Sequence, residues 1–201
     1  MRDLLPTARE ITQLFPGVWQ WSAYSSHHKV ELTSHAVNTS EGVVIVDPIP
    51  LDEEQRIKFE PIVAPQAVIL TNANHLRSAT QWVDRKSIYA FPSSLTREHG
   101  LVVIERQPSQ LFGLTIIPLE GGPAGEIALF DSDKKLLIVG DALVNLPNRG
   151  LEILPAKYCN DDGMLRNSLC RLLAFNFDVL LCSHGNPILT AAKTRLKELL
   201  A

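Results

Sequence analysis

Cysteine is scarce in this chain. Cys159, Cys170 and Cys182 are its three thiols, an odd number with no CxxC spacing, which argues against a disulfide framework and for a reducing compartment. Long apolar runs are lacking too: no segment approaches the roughly 20 residues that span a bilayer. Met1 to Phe15 carries Arg2, Asp3, Arg9 and Glu10 and has no continuous apolar stretch of the kind that opens a secreted protein. The cytoplasm is therefore the expected location, with no membrane partner. An excess of positive charge is missing as well. The net charge of -3 gives no electrostatic drive toward nucleic acid. The glycines at 121, 122 and 125 fit neither GxGxxG nor a P-loop, and Ser183 beside His184 has no GxSxG elbow around it, so nucleotide binding and serine hydrolysis find no motif. Low-complexity segments and short repeats are absent.

The apolar residues that are present, 45% of the chain against 20% charged, describe an ordinary globular protein. At 201 residues one sizeable core suffices, and a single domain over 1–201 is expected. The pattern predicts strands at Ile11 to Phe15, Val18 to Ser22, Val30 to Asn38 and Val43 to Val46, the last stopped at Asp47-Pro48. Leu51 to Phe59 reads as a helix and Ala67 to Leu70 as a buried strand. A helix over Ser78 to Arg85, capped by Ser78, follows. Ser87 to Phe91, Leu101 to Ile104 and Leu114 to Pro118 read as strands, with a brief helix over Ser94 to His99 closed by Gly100. Glu126 to Phe130 and Leu136 to Val139 form a strand pair turning at Asp131-Ser132-Asp133. Asp161 to Ala174 is a helix, Val179 to Cys182 a strand, and Thr190 to Leu200 a terminal amphipathic helix. Strands interrupted by helices predict sheets covered by helices.

Polar residues collect just after several of these strands, in Thr71-Asn72-Ala73-Asn74-His75-Leu76-Arg77-Ser78, Gly140-Asp141 and Ser183-His184-Gly185. Loops at the carboxyl ends of buried strands are where such folds place chemistry. The landmarks run in order: Val44-Ile45-Val46-Asp47-Pro48, Ile69-Leu70-Thr71, Gly125-Glu126-Ile127-Ala128-Leu129, Leu137-Ile138-Val139-Gly140-Asp141-Ala142-Leu143 and Ser183-His184-Gly185-Asn186-Pro187. Together they resemble the metallo-β-lactamase-fold superfamily over nearly the whole chain. The resemblance implies an α+β, αββα four-layer sandwich, two mixed β-sheets flanked by helices, with the site at one edge. It implies hydrolysis by water activated on one or two zinc ions.

The family's ligand loop, HxHxDH, falls here on Asn72, Asn74, Leu76 and Arg77, and the His of its HTPG-like loop falls on Gly122. Only Asp141, the bridging carboxylate, and His184, the last ligand, are retained. Zinc takes three or four nitrogen, sulfur or carboxylate donors, so a dinuclear site is not expected and no metal is expected by default. A reduced site for zinc or another divalent ion remains open, built from His75, Asp141 and His184, with Cys182 as a further sulfur if its strand stays extended. The plainer reading makes His75 a hydrogen-bonded loop residue and Cys182 a small buried side chain. Without metal, Asp141 needs a cationic partner, and Arg77 or a protonated His184 is expected to supply it.

Two functions follow. One is a non-hydrolytic relative binding a small, unidentified molecule in a polar cleft of Asn72, Asn74, His75, Arg77, Asp141 and His184. The other is a hydrolase with a single ion. The resemblance also brings His27, His28 and His35 near the cleft, although a solvated loop pair and a packed strand histidine are the simpler readings. His99 suits a helix C-terminus, and Asp47 matches the family's loop-ordering Asp. Trp19, Trp21 and Trp82 read as core or rim residues.

Overall fold

The computed structural model describes residues 5–91, 101–103 and 110–201. Its strands are β1 (Thr12–Phe15), β2 (Val18–Ser25), β3 (Val30–Thr39), β4 (Gly42–Val46), β5 (Ala67–Leu70), β6 (Ile88–Ala90) and β7 (Val102–Val103), which form one sheet in that order. The first three pairings are antiparallel and the last three parallel. A second sheet has the order β14 (Val179–Cys182), β11 (Leu136–Val139), β10 (Ile127–Asp131), β9 (Leu114–Pro118) and β8 (Gln110–Leu111). In it β14 pairs parallel to β11, and the other pairings are antiparallel. A small hairpin joins β12 (Leu143–Leu146) to β13 (Gly150–Ile153). Among the described residues the α-helices are α1 (Glu53–Val63), α2 (Asp162–Leu172) and α3 (Ala192–Leu200).

Strand alternation sorts the apolar side chains into three layers. Val18, Val37, Val44, Val46 and Ile69 meet Leu114, Ile127, Leu129, Ile138 and Leu181 between the sheets. Trp21, Ile45, Val68 and Leu70 point outward from the first sheet and are covered by Phe59 and Val63 of α1 and by Trp82. Leu137, Val139 and Leu180 point outward from the second and are covered by Leu165, Leu169 and Leu172 of α2 and Leu196 of α3. The expected four-layer sandwich of two mixed sheets is the architecture found.

Most expected elements appear within a few residues of their predicted bounds. Ser78 to Arg85 does not form the expected α-helix: two single 3-10 turns, Ala79–Gln81 and Arg85–Ser87, stand there. The Ser78 hydroxyl donates to the Pro48 carbonyl instead of capping a following amide, and Trp82 is drawn into the rings of Trp21 and Phe59. The β12–β13 hairpin was not anticipated. Its turn uses Asn148 and Gly150, both at positive φ, the signal that marks such turns. The helix expected over Ser94 to His99, with its Gly100 cap and the role for His99, lies outside the described residues, as does Ile104. Among the described residues no helix is long and apolar enough to cross a membrane.

Candidate metal centre

The site forms where four strand ends meet: Asp47 after β4, Thr71 to Arg77 after β5, Gly140 and Asp141 after β11, and Ser183 and His184 after β14. Backbone hydrogen bonds clamp the two sheets together here. Thr33 N donates to Ser183 O at 2.9 Å and Ile127 N to Thr71 O at 2.8 Å. The parallel pairs β4–β5 and β11–β14 each put two carboxyl ends side by side, and the clamp sets one pair against the other.

Asp47 is the anchor. Its carboxylate is fully buried and accepts from Thr71 N at 2.8 Å, from the Thr71 hydroxyl, from Ser183 Oγ at 2.6 Å and from His75 Nδ1 at 2.8 Å. Burial alone would push its pKa up. The positive charge and hydrogen bond of His75, with Arg77 and Ser183 adding to them, instead hold it down at about 2. The backbone at Asp47 has φ 50 and that at Arg77 has φ 37, left-handed values that the surroundings must enforce. Part of that enforcement is visible: Arg77 Nη1 donates to the backbone carbonyls of Asp47 at 3.0 Å and Thr33 at 3.2 Å.

His75 stands between two carboxylates. Nδ1 faces Asp47 and Nε2 faces Asp141 Oδ1 at 3.0 Å. Burial and Arg77 push its pKa down, and the two acids outweigh them, raising it to about 9. His184 completes the group. Its Nδ1 lies 2.9 Å from Glu31 O and its Nε2 3.0 Å from the same Asp141 oxygen. Burial opposes ionisation of Asp141, yet the two imidazoles hold its carboxyl well below the usual range. The donor atoms of His75, Asp141 and His184 all lie within 4.8 Å of one another, close enough to share one ion.

The other predicted residues are spent elsewhere. Asn72 Nδ2 donates to Glu126 Oε2 at 2.8 Å while its Oδ1 accepts from Asn74 N at 2.9 Å, so its amide is fully engaged. Asn74 is exposed. Arg77 does not pair with Asp141 as expected: its Nη1 is committed to the carbonyls of β3 and Asp47, and the imidazoles take the carboxylate, His184 among them. Cys182 is no ligand. It closes β14 on the face turned to α2 and α3, so the shared face does not extend to His184, and burial pushes its thiol up to about 12. His35 is a packed strand histidine with Nε2 3.3 Å from Gln20 Oε1, and the rings of His27 and His28 meet edge to face at 4.7 Å in the β2–β3 turn.

Sequence reading passed over Glu126. It is buried, with Oε1 accepting from Ala142 N at 2.9 Å and Oε2 held by Asn72. Burial first, then the charge of Asp141, raises its pKa to about 8. The available signal was a charged residue opening the apolar run Ile127 to Phe130, where no solvated face exists to receive it.

The metallo-beta-lactamase superfamily profile matches residues 12–201. Among solved structures, the chain is similar to DIM-1 metallo-beta-lactamase, with TM-score 0.73, 17% identity and 98% of each chain covered. It is also similar to the metallo-beta-lactamase from Pontibacter korlensis, with TM-score 0.71, 17% identity, and 95% of this chain and 98% of that one covered. TTHA1623 in a di-iron-bound form gives TM-score 0.58 and 25% identity over 79% of this chain and 89% of that one. A comparison with curated proteins found no match. With a profile covering nearly its whole length and a sandwich shared with these enzymes, the chain belongs to the metallo-beta-lactamase superfamily.

Proposed function

We propose that this protein holds a single divalent metal ion through His75, Asp141 and His184 and is a metal-dependent hydrolase with a reduced centre. The observation that carries this reading is a count of protons. A neutral imidazole has one N–H, yet each ring faces acceptors at both nitrogens: Asp47 and Asp141 for His75, Glu31 O and Asp141 for His184. With each Nδ1–H committed to its outer acceptor, two Nε2 lone pairs and a carboxylate oxygen point at one place, an arrangement that a cation satisfies. Carboxylate or carbonyl acceptors behind ligating histidines are the usual outer support of metal sites. A second ion is not expected, because the Asn72 amide oxygen already accepts from Asn74 N and Leu76 and Gly122 carry no side-chain donor. A bound ion would supply a water ionising near pH 7. The chain's own part is to fix the three donors, with Asp47 and Glu31 O setting the tautomers and Arg77 the loop.

A second reading rests on His75. Protonated on both nitrogens, its ring satisfies Asp47 and Asp141 without metal, and its pKa, raised to about 9, favours that form at neutral pH. The protein would then be a non-hydrolytic relative binding a small molecule. Metal analysis of protein purified without chelator, followed by cobalt titration of the apoprotein, separates the two. The first reading expects about one ion per chain, lost in His184→Ala and in His75→Ala. Failure to take up zinc, iron, manganese or cobalt rejects the first reading and leaves the second.

A further inference from the structure

We propose that Glu126 is a positioning residue for Asp141, oriented by Asn72, so that the residue at a lost ligand position now sets the geometry of a retained one. This rests on the single-ion reading above. Glu126 grips Asp141 from both sides. Its Oε1 takes the Ala142 amide at 2.9 Å, and a Cβ built on Gly140 would lie 2.7 Å from that oxygen. The same Cβ would lie 2.4 Å from Thr71 Oγ1, which in turn donates to Asp47. The residues before and after Asp141 are thus packed on Glu126 and Thr71, which fixes the backbone from which the carboxylate reaches the two imidazoles.

Asn72 keeps Glu126 in place. Its Oδ1 is fixed by Asn74 N, so the amide cannot flip and Nδ2 must face Glu126 Oε2 at 2.8 Å. Glu126 therefore has to accept at both oxygens, from Ala142 and from Asn72. The ionised carboxylate does this, a carboxyl group does so with its O–H turned away from both donors, and a carboxamide cannot, because its NH2 would face another donor. The bond is directional and can be inverted. Glu126→Gln sets donor against donor, and Asn72→Asp sets two acidic groups face to face. The double variant E126Q/N72D restores one donor and one acceptor while Asp at 72 still accepts from Asn74 N, and the formal charge of the pair is unchanged.

The test is cobalt affinity of the four proteins, with thermal unfolding followed in parallel. Each single variant is expected to bind cobalt about 10 to 100-fold more weakly, the range of outer-shell changes at metal sites, with a shifted visible spectrum. The double variant should return to within a few-fold of the starting protein. A purely structural Glu126 would lower the melting temperature and leave the affinity of the folded fraction and the cobalt spectrum unmoved, which would overturn the proposal. Single variants with no recovery in the double would overturn it too. Should the starting protein bind no ion, the single-ion reading falls by itself. The Asp141 carboxyl 13C resonance then decides: displaced in the singles and restored in the double, it supports positioning, and undisturbed in the singles it refutes it.

Discussion

At the residue scale the buried imidazoles behave differently according to what faces them. His75 has two carboxylates. His35 is equally buried, yet among the described residues Nε2 finds only Gln20 and Nδ1 has no partner. Burial first, with Arg77 adding to it against the pull of Asp47, lowers its pKa from 6.5 to about 4. The sign follows from proton counting. Between about 6.5 and about 4 the unfolded chain takes up a proton at this ring and the folded chain does not, so stability falls as pH falls through that window and is fully present above it. The gap of about 2.5 units corresponds to roughly 3 kcal/mol. Urea unfolding at pH 7 and pH 4.5 should show this loss in the native protein and a much smaller one in His35→Gln. Equal losses in the two proteins would reject the assignment. Asp47 responds in the opposite range. Its folded pKa of about 2 lies below the ordinary value of 3.8, so what it contributes is present above about 3.8 and is lost as pH falls through about 2.

At the element scale the site depends on turns that place strand ends against each other. Gly185 follows His184 with φ 92, and a Cβ there would lie 2.0 Å from Asn145 O, an atom that also accepts from Asn186 N at 2.8 Å. Asn145 N in turn donates to His184 O at 3.1 Å, so β12 and the His184 loop close on each other through a gap that only glycine leaves. Gly185→Ala is expected to cost at least about 2 kcal/mol from the backbone conformation and the forced separation, and to weaken metal binding with it. Chemical denaturation beside cobalt titration checks both, and unchanged values would show that the loop accommodates the methyl group. The element that the sequence misread, Ser78 to Arg85, illustrates the competing force. Its spacing is helical and Ser78 is a good cap in isolation, but the Pro48 carbonyl and the Trp21–Phe59 rings compete for its hydroxyl and its indole, and eight residues of propensity lose to them.

At the scale of the whole molecule the two sheets must be held in one fixed arrangement, because the candidate metal donors come from both. Ile138, 1% exposed, lies between them on β11, three residues before Asp141. Ile138→Ala should lower stability by about 2–5 kcal/mol, seen as a lower denaturation midpoint with an unchanged slope. A loss well under 1 kcal/mol would mean that the layer repacks. Apolar runs and apolar helix stripes, which are local properties, made sheets covered by helices legible in the sequence, the resemblance of its ordered landmarks implied the four-layer sandwich, and the polar loops after β5, β11 and β14 could be located. The resemblance also set Asn72, Asn74, Leu76 and Arg77 at the positions of the family's ligand loop. What only the tertiary structure decided is which side chains meet. His75 holds a spacer position in the ligand motif, and Arg77 carries the charge that seemed suited to Asp141. In the structure the 3-10 turn Ala73–His75, capped by Asn72, carries the histidine to Asp141, and the Arg77 guanidinium donates to backbone carbonyls. Glu126 stands out in the sequence only as a charge opening an apolar run, and its partners, Asn72 and Ala142, are 54 and 16 residues away along the chain. Hydrogen bonds across such separations exist only once the sheets have packed, so no pattern within a short stretch of sequence encodes them.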